Sequence, residues 1–172
     1  MGIFDIFGKT SRKPTLQEIL YENAPSNRIT IPREQMLNLA NQRAAQDIRI
    51  INESKTIIQT TVKPDVFFSR LNLLRDKIDD LVMLSPYIKI KGVSQHQLKQ
   101  SYENDREEII NGFIDRYYKS VKKKADTLKT QKAKDNQYNK FFDTLEKYQP
   151  ELSDGNRVKI GYIRVKVERQ TE

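Results

Sequence analysis

The single histidine and a cluster of carboxylates are the side chains in this sequence best suited to acid–base or metal chemistry. A lone histidine forms a zinc site only with cysteines or suitably placed carboxylates, and the sequence contains one histidine, His96, and no cysteine. Carboxylate metal centres in helical bundles commonly use E-x-x-H pairs, and no such pair occurs here. We therefore expect His96 and the carboxylates that follow it to face solvent. These carboxylates are Glu103, Asp105, Glu107 and Glu108.

The short motifs that build common catalytic or nucleotide sites are also missing from the sequence. The glycine-rich patterns G-x-G-x-x-G and G-x-x-x-x-G-K-[ST], which place backbone amides around phosphates, do not occur. The G-x-S-x-G turn that presents a nucleophilic serine is absent as well. The lack of cysteine excludes thiolate nucleophiles, disulfides and thiolate-bound metals. We therefore predict that the protein is not an enzyme and that it uses no cofactor.

The most concentrated charge in the sequence is a basic stretch from Arg116 to Lys140, with nine basic residues and two acidic ones. A lysine-rich helix can follow a phosphate backbone and release its counterions, so nucleic-acid binding is one interpretation. A solvated helix face is the other interpretation, and it is the one we favour. The candidate nucleic-acid-binding residues are Arg116, Lys119, Lys122, Lys123, Lys124, Lys129 and Lys132.

A second candidate binding segment lies at the N-terminus, where apolar residues are followed by basic ones. These residues are Ile3, Phe4 and Phe7, then Lys9, Arg12 and Lys13. The segment is too short to span a membrane and is not followed by the cleavage site of a secretory signal. Contact with an anionic membrane surface is possible for such a pattern, but two helical turns bury little apolar area. We favour contact of Ile3, Phe4 and Phe7 with the bundle or with a protein partner.

Apolar residues recur at a helical period along most of the chain and predict the elements that carry these side chains. We predict helices near 32–60, 65–84, 94–134 and 138–148. The clearest stripe has the four-three spacing of coiled-coil heptads and consists of Phe67, Leu71, Leu74, Ile78 and Leu81. Two alanines, Ala40 and Ala44, thin the apolar face of the first of these helices, so a neighbouring helix can approach closely there.

The longest predicted helix begins at a capping box, in which Ser94 and Gln97 satisfy backbone amides of the first turn. Two alternatives remain for its C-terminal end. Either a break near Asp135 and Asn136 separates it from the following helix, or the two helices are continuous. Because this helix is longer than its neighbours, we expect its basic end, beyond about Lys122, to project from the bundle and to pair with another chain.

The C-terminal residues 157–168 leave the choice between strand and helix open. Their apolar residues are β-branched and alternate with polar ones, which favours a strand. Asp154 and Gly155 precede them as a turn signal. The alternating residues are Val158, Ile160, Ile163, Val165 and Val167. We divide the chain into a leader at 1–13, a helical bundle at 14–150 and an extended or strand segment at 151–172.

The composition agrees with a basic, helical protein. The sequence of 172 residues has 31 lysines and arginines against 23 acidic residues, and its net charge is +8. Six glycines and six prolines are few for this length, which disfavours a many-turned β protein. We predict a mainly α fold, an elongated antiparallel bundle of long helices with a possible minor β element at the C-terminus. The lack of cysteine fits a cytoplasmic location.

Two segments resemble parts of small helical proteins found in Gram-positive bacteria and their mobile elements. They are DVFFSRLNLLRDKIDDL at Asp65–Leu81 and FIDRYYKSVKKKADTLKTQKAKDNQYNKFFDTLEKY at Phe113–Tyr148. The resemblance covers about a third of the chain and implies a helical fold in a bacterial intracellular setting. It implies no catalytic or binding residues.

These patterns together predict a non-enzymatic interaction or scaffold module that binds a protein partner or associates with itself. The helices carry long apolar stripes that suit partner helices, and no chemistry of an active site is visible. A nucleic-acid-binding accessory protein that uses residues 116–140 is the first alternative. Peripheral contact with a membrane surface through residues 3–13 is the second.

Overall fold

A computed structural model describes residues 32–92 and 94–169, and within them the chain forms five α-helices. The helices are α1 (Arg33–Thr60), α2 (Pro64–Leu84), α3 (Gln95–Asp126), α4 (Gln131–Glu146) and α5 (Asp154–Glu168). A short 3-10 helix, Gln149–Glu151, precedes α5. Residues 32–92 and 94–169 contain no strand. The prediction of a mainly α bundle is confirmed.

Helices α1 and α2 form an antiparallel hairpin whose three-residue connection ends at Pro64. Proline suits the first position of a helix because its missing N–H has no helical partner there. The predicted heptad stripe of α2 is buried along its whole length, which confirms that it faces the core. Ala40 and Ala44 line the facing side of α1 and are also buried, and their small side chains allow the two helices to pack closely.

Helix α3 belongs to two groups of three helices, one formed with α1 and α2 and the other with α4 and α5. It has 32 residues and is therefore about 48 Å long. Its N-terminal half runs antiparallel to α2, since Lys99 pairs with Asp79 and the Tyr102 hydroxyl donates to the carbonyl of Leu71. Its C-terminal half extends past the α1–α2 hairpin and packs against α4 and α5. The Ser94 side chain accepts a hydrogen bond from the Gln97 amide at 3.4 Å, which is the first of the two bonds of the predicted capping box.

The basic end of α3 does not project, which corrects that prediction. The chain leaves the helix after Asp126, at Thr127–Thr130, earlier than the predicted end near 134. The Thr130 side chain accepts a hydrogen bond from the Ala133 amide and so begins α4. Helix α4 then folds back along α3 and helps to bury Val121 and Ala125.

Residues 157–168 form most of α5 rather than the strand that the alternating pattern favoured. The helix begins at a capping box formed by Ser153 and Asn156, which makes the first turn favourable. The alternation arises because α5 has apolar residues on two opposite faces. Ile163 and Val167 are buried against the bundle, whereas residues 158, 162 and 165 point outward.

A cluster of aromatic rings joins the two groups of helices around α3. Phe113 stacks on Phe67 with ring centroids 4.0 Å apart, and Tyr117 lies 4.9 Å from Phe141 of α4. Tyr148 stacks on Phe68 and donates its hydroxyl to Asp65, which raises the pKa of Tyr148 to about 12. Because both groups of helices contribute rings to one cluster, they share a core.

A second cluster between α1 and α2 is charged. Asp47 is fully buried, lies 3.3 Å from Arg43 and 3.5 Å from Lys77, and Lys77 also contacts Asp80 at 2.8 Å. Burial raises the pKa of Asp47, although Lys77 and Arg43 act in the opposite direction. The ionised carboxylate is therefore less favourable in the folded protein than in the unfolded chain.

This raised pKa predicts how stability changes with pH in Asp47→Asn, which removes the ionisable group but keeps the side-chain shape. The folded protein binds a proton at Asp47 more tightly than the unfolded chain does. The wild type should therefore gain stability relative to the variant as pH falls from about 7, through the raised pKa, towards the ordinary value of 3.8. Urea unfolding of both proteins at several pH values measures this difference, and the reverse trend would contradict the prediction.

Candidate interaction surface

The position of α5 on the bundle is fixed by Asn156, a buried residue in its first turn. The Asn156 amide group donates to the backbone carbonyl of Glu107 and to the side chain of Asn111, both at 3.0 Å. Its side-chain oxygen accepts from the Ser153 backbone amide at 3.0 Å. These bonds connect the start of α5 to α3 and satisfy every polar group of the buried side chain.

Further along α5, ionic and aromatic contacts keep the same face towards the bundle. Lys159 pairs with Asp115 of α3 at 2.6 Å, and the Arg164 guanidinium lies 4.6 Å from the centroid of the Phe142 ring. Ile163 and Val167 are buried between these contacts. The rotation of α5 about its own axis is therefore fixed, and so is the face that it turns to solvent.

The solvent face of α5 is apolar, and we call Val158, Gly161, Tyr162 and Val165 the α5 outer face. Val158 is 74% exposed, Tyr162 72% and Val165 46%. A Cβ atom placed on Gly161 meets no neighbouring atom within 4 Å, so the surface beside it is open. Single exposed apolar residues are ordinary, but these three lie at the four-three spacing of one helix face. The outer face can bury a partner helix.

The predicted lysine surface is found at the end of the molecule where α3 turns into α4. Lys123 and Lys124 are exposed in the last turn of α3, where positive charge stabilises the helix dipole. Lys119, Lys129 and Lys132 are exposed as well, and Lys122 is half-buried. None of the six lysines forms an ion pair with another residue in 32–92 or 94–169. These six residues form the tip lysine cluster.

Arg116, the seventh candidate nucleic-acid contact, differs from five of these six lysines in its burial and from all of them in its bonding. Its guanidinium is half-buried and donates to the backbone carbonyl of Ile58 at 2.6 Å. That carbonyl is in the last turn of α1, where no intrahelical amide is available. Desolvation by burial lowers the pKa of Arg116. The charge therefore stabilises the end of α1, which has no basic residue of its own in that turn.

Removal of the Arg116 side chain should consequently affect stability. We expect Arg116→Ala to lower the free energy of unfolding by about 1–3 kcal/mol, because the Ile58 carbonyl loses its partner. Lys119→Ala, one turn further along α3 and exposed, should change it by less than about 0.5 kcal/mol. Urea unfolding measures both values, and equal values for the two variants would contradict the assigned role.

His96 and the four carboxylates of the sequence analysis are exposed, as expected, and two of the carboxylates form hydrogen bonds with serine side chains. Glu107 accepts from the Ser153 hydroxyl at 2.6 Å, and Asp105 accepts from Ser101 at 3.1 Å. His96 is exposed and lies 3.4 Å from the Ser85 hydroxyl. The described part of the chain contains no group of three or more histidine, aspartate or glutamate residues arranged to hold a metal ion.

An open groove of about 460 Å³ lies between α1, α2 and α3. Its floor is apolar and includes Ile58, Leu74 and Ile109, and its rim carries charges of both signs, among them Lys55 and Glu108. The least exposed polar side chains of its lining, Tyr102 and Arg116, already donate to backbone carbonyls, so its chemistry does not identify a ligand. The candidate residues Ile3, Phe4 and Phe7 lie outside the described residues.

Comparison of the chain with protein-family models, with curated proteins and with solved structures finds no match. Among the helices of residues 32–92 and 94–169, none is both long and apolar enough to cross a membrane.

Proposed function

We propose that this protein is a non-enzymatic helical interaction module that binds a protein partner through the α5 outer face. The observation that carries the proposal is the exposure of Val158 and Tyr162, each more than 70% accessible, on a helix whose rotation is fixed. Burial of a side chain of this size contributes roughly 1.5–3 kcal/mol. Burial of the three apolar side chains therefore contributes a favourable term to the binding of a partner helix, which is offset in part by the entropy cost of association. A cytoplasmic, bacterial setting is part of the proposal and is supported by the sequence alone.

A photo-crosslinking residue placed at position 162 tests the proposal in the cells that produce the protein. The matched control places the same residue at position 87, because Tyr87 is 45% exposed and lies at the opposite end of the bundle. We expect a discrete protein adduct from position 162 alone, and we expect Val158→Asp to remove it. No adduct, or the same adduct from both positions, would contradict the proposal.

Nucleic-acid binding by the tip lysine cluster is a second candidate function, supported by the absence of ion pairs between these six lysines and the rest of the described residues. Phosphate binding of this kind weakens steeply as salt rises. Charge reversal at Lys122, Lys123 and Lys124 should abolish binding to a fluorescent DNA duplex or single-stranded RNA at low salt. Reversal at three exposed lysines elsewhere, Lys55, Lys89 and Lys91, makes the same change in net charge. Equal losses for the two triple variants would contradict a specific site.

A further inference from the structure

We propose that the partner at the α5 outer face is an acidic amphipathic helix of another protein, an inference that rests on the proposed function. Residues 154–169 contain five basic side chains and two acidic ones. Lys159 is paired with Asp115, and Asp154 is paired with Arg157 at 3.3 Å. Of the exposed basic residues, Arg157 is paired with Asp154 and Arg164 lies over the Phe142 ring, which leaves Lys166 and Arg169 beside the outer face, where Glu168 is exposed as well. A partner with carboxylates beside its apolar stripe matches this charge.

The geometry of the outer face suits a helix in particular. Val158, Tyr162 and Val165 are separated by four and three residues, which is the spacing of one side of a two-helix seam. At 100° per residue, Lys166 lies on one side of this stripe, and Arg169 lies in line with it one turn beyond Val165. Carboxylates of a partner helix beside Lys166 and near Arg169 therefore meet a basic side chain. Gly161, beside the stripe, allows the partner backbone to approach closely.

A second copy of the chain is a poorer match to the same surface. Each chain carries a net charge of +8, so two copies of the chain repel one another. Like charges at an interface oppose association. An anionic membrane satisfies the charge, but a stripe of two valines and one tyrosine offers little apolar area for insertion.

Two designed peptides test the inference. Both carry the same leucine stripe at four-three spacing, and they differ only in flanking residues, which are glutamates in one and lysines in the other. We expect the full chain to bind the acidic peptide at least about tenfold more tightly at low salt, and the advantage should shrink as salt rises. Tyr162→Asp should abolish binding, whereas Tyr87→Asp should leave it unchanged. Fluorescence anisotropy measures each dissociation constant.

Several results would overturn the inference. Equal affinity for both peptides, or no binding of either, is one such result. A homodimer in light scattering, or binding to phosphatidylserine vesicles, is another if Tyr162→Asp removes it. The crosslinking experiment separates the two proposals. A protein adduct at position 162 together with no preference for the acidic peptide leaves the interaction module intact and removes the acidic partner. If position 162 gives no adduct and neither peptide binds, both the interaction module and the acidic partner are contradicted.

Discussion

Replacing Phe113 with alanine should lower the free energy of unfolding by about 3–5 kcal/mol, the range for large-to-small changes at fully buried aromatic positions. Phe113 has no exposed surface and stacks on Phe67 with centroids 4.0 Å apart. It also contacts Phe68 edge to face at 5.8 Å and Tyr117 at 5.8 Å. The loss combines the transfer free energy of the ring with a cavity that helices α2 and α3 can close only by moving closer together.

Because the cavity lies where the two groups of helices meet, the whole bundle should be destabilised as one unit. Circular dichroism and tyrosine fluorescence should then report coincident urea transitions at a lower midpoint. Tyr162→Ala is the matched control, since it removes an aromatic ring that is 72% exposed. We expect it to change stability by less than about 0.5 kcal/mol. A similar loss in both variants would show that burial of the Phe113 ring is not the cause.

Replacing Asn156 with alanine should cost about 2–4 kcal/mol, because the cap of α5 and its connection to α3 are lost together. Asn156 is fully buried and makes hydrogen bonds with Ser153, Glu107 and Asn111. Truncation leaves the half-buried Ser153 amide and Asn111 side chain without these partners. We expect amide hydrogen exchange in α5 to accelerate more than exchange in α1, since α5 loses its fixed position first.

Asn156→Asp separates the two roles of this side chain. The aspartate keeps the oxygen that accepts from Ser153, but it cannot donate to the Glu107 carbonyl. A large loss of stability in the aspartate variant combines the lost connection to α3 with the cost of burying a carboxylate, whereas a small loss means that the cap alone holds α5. Asn104→Ala, at an exposed position of α3, is the control and should be close to neutral. Wild-type stability in Asn156→Asp would show that the Glu107 and Asn111 bonds do not hold α5 in place.

The sequence predicts the hairpin of α1 and α2 and the start of α3 because the signals there are local. The heptad stripe of α2 identifies one face without knowledge of its neighbour, and the Ser94 capping box is complete within four residues. The end of α3 is less well predicted, since Thr130 caps α4 only when the chain turns there. Nothing in the local pattern distinguishes that turn from a helix continued to 134.

The α5 outer face could not be predicted from the sequence, and the reason is different. Apolar residues at alternating positions of 158–167 describe a strand with one buried face, and they equally describe a helix that is apolar on two opposite sides. The Ser153–Asn156 capping box favours the helix, and it is the signal in the sequence that identifies α5. Which of its two sides faces solvent depends on residues far along the chain, Asp115 and Phe142 among them.

The sequence by itself determined a mainly helical, basic protein, because helical periodicity and net charge are properties of the residues and their order. The tertiary structure decided what the charges and apolar side chains do. It placed Arg116 against the Ile58 carbonyl and left the tip lysines in solvent. It also buried one apolar side of α5 and exposed the other. These outcomes depend on distances between residues separated by tens of positions, and only the packing of the helices sets those distances.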